Sequence, residues 1–275
     1  MTATQATDVA EEAGPLVPRR RRHGHRRLRA VAPLAAGAVL FLGIWQAIVW
    51  IGSYPPYILP GPVAVFRRFV EAWSDGTMGP HAIVTVEEVL LGFAVGAAAG
   101  LAVGYVLARS RLANLVLSPY LVAAQSTPIL ALAPLIALWF GSGLLSKVII
   151  CSLIVFFPVA VSTLVGLGSI DRRLLELVRS LRATRGQILR TLEIPAALPA
   201  VMGGLRVGVT LAVVGAIIGE WAGGDQGLGV LINLARGSLF DTPLLFATLL
   251  TIALIGVVLY ETTIFIERRL VGDRG

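Results

Sequence analysis

Residues 176–199 read ELVRSLRATRGQILRTLEIPAALP. The stretch holds Arg179, Arg182, Arg185 and Arg190, follows directly on Arg172 and Arg173, and closes with Pro195 and Pro199. Long apolar runs flank it on both sides. A segment with this many charges cannot cross a bilayer, so it marks a place where the chain leaves the membrane. Within and just before it, Leu174, Leu175, Leu177, Val178 and Leu181 recur at helical spacing, as do Ile188, Leu189 and Leu192. Two short amphipathic helices are expected, with Gly186 between them and Pro195 ending the second. Such an insert suits either a basic segment lying flat on the membrane or a helix face docked into a partner.

The flanks decide the class. Of 275 residues, 56% are apolar and 14% charged, and mean hydropathy is +0.82. Soluble domains carry roughly a quarter charged residues. Six apolar segments can be marked: Val31–Gly52, Val89–Ala108, Leu115–Phe140, Leu144–Leu167, Ala200–Trp221 and Pro243–Phe265. Each supplies the roughly 20 helical residues needed to cross the hydrocarbon core. The expectation is an all-α membrane protein with six transmembrane helices and a charged loop, about 168–199, between spans four and five. The third segment is the least regular. It contains Pro119, Pro128, Pro134 and the polar triplet Gln125-Ser126-Thr127. Prolines are tolerated in spans where neighbours satisfy the freed backbone groups. The triplet is expected to pack against a neighbouring helix or, failing that, to line a path for cargo.

Basic residues orient the chain. With the N-terminus inside, nineteen Lys and Arg fall on the cytoplasmic side and four outside, namely Arg67, Arg68, Lys147 and Arg236. Both termini and the charged insert are therefore expected in the cytoplasm. Residues 1–29 include PRRRRHGHRRLR and read as a disordered basic tail that anchors topology and meets anionic lipid. Residues 30–270 form the transmembrane domain and 271–275 a short cytoplasmic tail. The first apolar run is long enough to span and ends at SYPPYILPGP, so it is taken as an uncleaved span. A pI near 10.5 does not argue for nucleic acid, because the charges sit in tails and short loops.

Other chemistry is sparse. The one cysteine, Cys151, lies in an apolar run and suits a small buried residue. Lys147, in GSGLLSKV, is the sole lysine; Ser146 and Val148 occupy positions where a P-loop needs Gly and Ser or Thr. Any nucleotide-derived energy must come from another chain. His23, His25 and His81 make no metal spacing. Gly92, Gly96, Gly100 and Gly104 share one helix face, a pattern for close packing. Glu220, at the outer end of span five, fits an interfacial carboxylate capped by loop amides or a residue of an outer gate. Arg206 fits snorkelling to the surface or bracing of the insert. The span centres lack Asp, Glu, Lys and Arg, which argues against an ion-coupled secondary transporter or channel.

The insert resembles the EAA loop of bacterial ABC importer permeases: E-A-A, three residues, G, nine residues, I, one residue, L-P. Here Glu176 takes the acidic position, Leu177 and Val178 replace the alanines, Arg182 stands at the glycine, and Leu192, Ile194 and Pro195 close the motif. The glycine position departs from the pattern, and Gly186 is expected to supply the flexible point instead. The likeness runs from about Trp45 to Arg269. LPGPVAVF is similar to the segment after the family's first span. ALAPLIALWFGSGLLSK, IDRRLLELVRSL and GEWAGGDQGLGVLI resemble the nitrate, sulfonate and taurine group. SKVIICSLIVFFPVAVSTLVGL, TLAVVGAIIGEW and DTPLLFA look closest to members for the thiamine pyrimidine precursor and riboflavin. The resemblance implies a permease subunit of the bacterial plasma membrane. Its loop forms a coupling helix against a cytoplasmic ATP-binding subunit, two copies form the pathway, and a solute-binding protein delivers cargo outside. ATP is bound by the partner, and this chain holds no cofactor. A vitamin-type heterocycle is the expected cargo, with nitrate, sulfonate or taurine as the alternative.

Overall fold

The apolar runs fold as helices, and among the described residues, 23–271 of a computed structural model, there is no strand. The greater part of the basic tail, residues 1–22, and the last four residues lie outside that range. Helix α1 (His23–Gly52) forms a unit of its own, and the chain from Tyr54 forms a second.

At the centre of the second unit, α3 (Met78–Arg109) packs against α6 (Leu144–Gly168), and α6 against α9 (Ile194–Ala222). Small residues set the spacing. A Cβ on Gly96 would lie 2.5 Å from the Ser152 carbonyl oxygen, and one on Gly104 2.5 Å from that of Ala160. The expected glycine row is thus a groove that receives the α6 backbone. On the other side of α6, a Cβ on Gly215 of α9 would meet Cys151 Cα at 2.9 Å. Cys151 is fully buried between them and donates its thiol to the Ala212 carbonyl at 3.3 Å. Val89, Val155, Val159, Val213 and Ala216 fill the rest of this core.

Two further helices escape the sequence pattern. The amphipathic α2 (Pro62–Ser74) lies before α3, and the short α10 (Leu228–Gly237) follows the Gly-rich loop after α9. With the start of α3 and with α11 (Thr242–Val271) they enclose a second core around Met78, Leu228, Leu231 and Leu244. An ion pair of 2.7 Å between Arg68 Nε and Asp241 Oδ2 fastens α2 beside α11.

Among the described residues, five helices are long and apolar enough to cross a membrane, or six if one bent pair counts as a span. That pair corrects the third expected segment. Leu115–Phe140 is not one helix: α4 (Arg111–Gln125) and α5 (Ile129–Phe140) meet at 93°. Pro128 lacks an N–H and holds its neighbour out of helical geometry, so the ladder stops at the triplet. The charged insert forms α7 (Arg172–Ser180) and a single turn, α8 (Arg185–Ile188). Pro195 does not end the second piece. The chain continues through a π turn (Leu189–Glu193) into α9, where Pro195 occupies the first turn and its missing donor costs little. The helical run therefore extends over 38 residues from Arg185 to Ala222.

Candidate functional site

The second unit carries charge at both ends of α3, α6 and α9. At the end opposite the insert, Glu88 of α3, Lys147 of α6 and Glu220 of α9 are all nearly inaccessible. Lys147 Nζ lies 2.8 Å from Glu88 Oε1 and 3.4 Å from the Gln226 carbonyl oxygen. Glu220 is satisfied by neutral donors: Thr85 donates to its Oε1 at 2.6 Å, and the Gly229 N–H donates to its Oε2. Thr85 Oγ1 in turn accepts the Leu228 N–H at 2.8 Å. Trp221 Nε1 donates to the Gly229 carbonyl at 3.1 Å. His81 Nδ1 stands 3.0 Å from the Gly227 nitrogen and 2.9 Å from its oxygen, so one tautomer accepts from the amide and the other donates to the carbonyl.

Local sequence explains this cluster. The loop after α9 turns back on itself through Gly227, whose φ of +124° favours glycine. A Cβ there would also lie 2.2 Å from Glu220 Cδ. Gly224 is similarly close to Lys147, 2.9 Å from Nζ to an added Cβ. The glycines of GGDQGLG thus let backbone amides approach buried charges closely enough to solvate them. Glu220 does receive a backbone amide, but from Gly229 in the first turn of α10 rather than from the loop, and it is buried within the helices rather than interfacial.

Sequence reasoning missed Glu88 and Lys147. Glu88 was set just outside its span, yet α3 begins ten residues earlier, at Met78. Lys147 counts in the sequence only as an outer charge, yet it is buried in the first turn of α6 with 6% of its side chain exposed. The available signal was a lone lysine beside an apolar run and a Glu pair ahead of another.

At the insert end the charges are exposed. Helix α7 turns Leu174 and Leu177 outward, and Leu181 just after it continues the row, at 47%, 56% and 74% exposure. Leu175 and Val178 are half-buried on the other side. Glu176, Arg182 and Gly186 are exposed, Leu192 is half-buried, and Ile194 and Pro195 are exposed. The α7 helix stops in a paired-bond end: Arg182 N–H bonds to the Arg179 carbonyl at 2.9 Å and Ala183 N–H to that of Val178 at 3.3 Å. Arg182 adopts φ +57°, the left-handed geometry usually reserved for glycine. The turn thus falls at Arg182 itself, and Gly186 sits inside α8 without positive φ, which corrects the expectation that Gly186 would replace it. Thr184 and Gln187 cap α8 reciprocally. Arg109, at the last turn of α3, holds Glu193 of the π turn at 2.6 Å, and Glu193 is only 2% exposed. This pair ties the insert to α3.

The remaining expected residues make other contacts. Gln125, Ser126 and Thr127 are exposed at the 93° bend rather than packed on a neighbour. Ser126 and Thr127 return their hydroxyls to the Val122 and Ala123 carbonyls at 3.0 and 3.3 Å. Arg206, about one-third exposed, pairs with Glu267 of α11 at 3.1 Å rather than with the insert.

Comparison with known proteins gives this geometry a context. Residues 96–271 match the family model described as binding-protein-dependent transport system inner membrane component. The chain is 46% identical over 233 residues to the riboflavin transport system permease protein RibX of Chloroflexus aurantiacus, covering 85% of this chain and 87% of that one. It is 35% identical over 220 residues to the formylaminopyrimidine transport permease protein ThiX of Halalkalibacterium halodurans, covering 80% and 86%. Among solved structures, a chain of the MetNI methionine ABC transporter in an inward-facing conformation superposes with a TM-score of 0.61 at 22% identity, over 70% of this chain and 95% of that one.

Proposed function

We propose a cargo and a coupling mechanism for this chain from one premise: it belongs to the family of binding-protein-dependent transport system inner membrane components, the permease subunits of ABC transporters. The cargo is a vitamin-type heterocycle, riboflavin or a thiamine pyrimidine precursor, and the similarity to RibX and ThiX supports that reading. The partners are a cytoplasmic ATP-binding subunit, which carries the ATPase activity, and a solute-binding protein that delivers cargo outside. Two copies of the chain form the pathway. Both termini and the insert lie in the cytoplasm, in keeping with nineteen basic residues on that side against four outside.

The observation that carries the coupling role is the outward row Leu174, Leu177 and Leu181 on an otherwise charged α7. An exposed apolar row beside arginines suits a groove on a partner protein, with leucine anchors and a polar rim. Closure of the ATPase displaces α7. The displacement reaches the transmembrane helices by two routes: the Arg109–Glu193 pair into α3, and the continuous run from Arg185 into α9. At 1.5 Å per residue that run extends roughly 57 Å and ends beside Glu220, whose bonds define the opposite mouth. An inward- to outward-facing change needs contacts that differ between the states, and the α7–ATPase interface supplies them.

Reconstituted chain with its ATPase and binding protein tests this. Uptake of labelled riboflavin or pyrimidine precursor is expected to require ATP and to collapse in Glu176→Ala and Arg182→Glu while membrane insertion survives. A sulfonate serves as control, and its accumulation in place of the heterocycles would reassign the cargo. Uptake that persists without any ATPase would replace the importer by a secondary transporter.

A further inference from the structure

A cavity of about 500 Å³ lies between the insert and the end of α3, lined by Arg109, Arg179, Ala183, Arg185 and Ile188. Arg109 is engaged by Glu193, but among the described residues no carboxylate pairs with Arg179 or Arg185. Arg179 stands one helical turn after the half-buried Leu175 on α7, and so turns away from the exposed leucine row. A second cavity of about 350 Å³ lies along α3, α6 and α9, and includes Leu101, Tyr105, Leu167, Leu198 and Val201. The two have neighbouring residues in their walls. Arg109 of the first lies over the ring of Tyr105 of the second, 5.5 Å from its centre, and Ile188 and Leu189 line one each.

We propose that this two-part cavity binds an anionic phospholipid, with the phosphate between Arg179 and Arg185 and an acyl chain along the apolar groove. The arginine part sits where α3 ends, at the depth where a spanning helix meets the headgroups. Guanidinium forks match phosphate oxygens in geometry and charge. A free phosphate ester would leave the adjoining groove unused, and an acyl chain alone would leave two cations unpaired. A phospholipid meets both demands. The bound lipid braces the insert against the helices from the membrane side, while the leucine row of α7 stays open on the other.

The test uses the purified full chain in detergent, titrated with phosphatidylglycerol and read by native mass spectrometry. Phosphatidylcholine of the same chains and glycerol 3-phosphate are comparators. Phosphatidylglycerol is expected to bind at least tenfold more tightly than phosphatidylcholine. Binding is expected to weaken tenfold or more in Arg179→Gln/Arg185→Gln and in Val201→Trp, which fills the groove. Equal retention of the two lipids overturns the proposal. So does competition by glycerol 3-phosphate with Val201→Trp unaffected, which would make the cavity a free phosphate site. Disulfide cross-linking of two Val201→Cys chains through this position would assign the groove to a second copy instead. Photoactivatable phosphatidylglycerol on the native chain provides a readout independent of variant folding. Labelling within residues 194–201 is expected, and labelling confined to other helices sinks the idea.

Discussion

The two ends of the α3–α6–α9 core treat charge in opposite ways. At one end Glu88, Lys147 and Glu220 are sealed from solvent: Lys147 pairs with Glu88 Oε1, Glu88 Oε2 has no hydrogen-bond partner among the described residues, and Glu220 accepts from Thr85 and from the Gly229 amide. At the other end the arginines of the insert are exposed, and only Glu193 is buried. Buried charge is costly unless fully partnered, and removing one partner leaves the other stranded. Exposed charge is stabilised by water and contributes little to folding. The first arrangement suits a fixed joint, the second a surface kept available to something else. The 38-residue helical run connects them.

The sharpest way to break the contrast is Lys147→Met. It strands the Glu88 carboxylate at 1% exposure and is expected to destabilise the fold by about 3–5 kcal/mol. The midpoint of thermal unfolding in detergent measures it. Adding Glu88→Gln to the same chain is expected to recover a large part of the loss, because the uncompensated charge is then gone. No recovery would mean that Lys147 acts through packing or through the Gln226 carbonyl alone.

Glu193→Gln probes the pair at the insert end. One partner is buried and the other is 33% exposed at its side chain, so solvent screens part of the interaction. The expected loss is about 1 kcal/mol, below the usual range for hydrogen bonds to charged groups because of that screening. A drop as large as that of Lys147→Met would show that both ends are fixed joints and that the contrast fails.

Arg182→Gly reverses the sign. Arg182 holds φ +57°, where a Cβ costs on the order of 1 kcal/mol and glycine does not. The variant is expected to gain about that much at the unfolding midpoint, offset in part by the greater freedom of glycine in the unfolded chain. A loss instead would mean that the Arg182 side chain makes a contact that outweighs its backbone strain.

What the sequence revealed follows the range of its signals. Period and length marked α6 within one residue and α9 and α11 within six, and the glycine row predicted close helix packing without naming the partner. Those features repeat locally. The bend at Ser126–Pro128 was less legible, since an apolar run with three prolines is compatible with a kinked span or with two helices. The Glu88–Lys147 pair joins positions 59 apart across two helices, and neither residue's neighbours encode it. The insert's turn was misplaced because residue type pointed to Gly186. The bonds from Arg182 and Ala183 back to α7 placed it four residues earlier. Turn position depends on which carbonyls remain to be satisfied, and a glycine merely allows the geometry.

The smallest effect on folding is expected from Leu177→Asp, and it divides the two ends most cleanly. Leu177 is 56% exposed, and surface substitutions of this kind shift stability by no more than about 0.5 kcal/mol. The unfolding midpoint should stay within that margin of the native chain. Capture of the ATP-binding subunit on the permease and ATP-dependent uptake should both be lost, because a carboxylate in the centre of an apolar row cannot be buried in a partner groove without a compensating cation. Lys147→Met is expected to do the reverse in a chain that still inserts: reduced stability, with the ATPase still captured. If Leu177→Asp leaves capture intact, the leucine row is not the docking surface and α7 lies on the membrane. If it lowers the midpoint as much as Lys147→Met does, the row is part of the fold, and the insert end is no freer than the buried one.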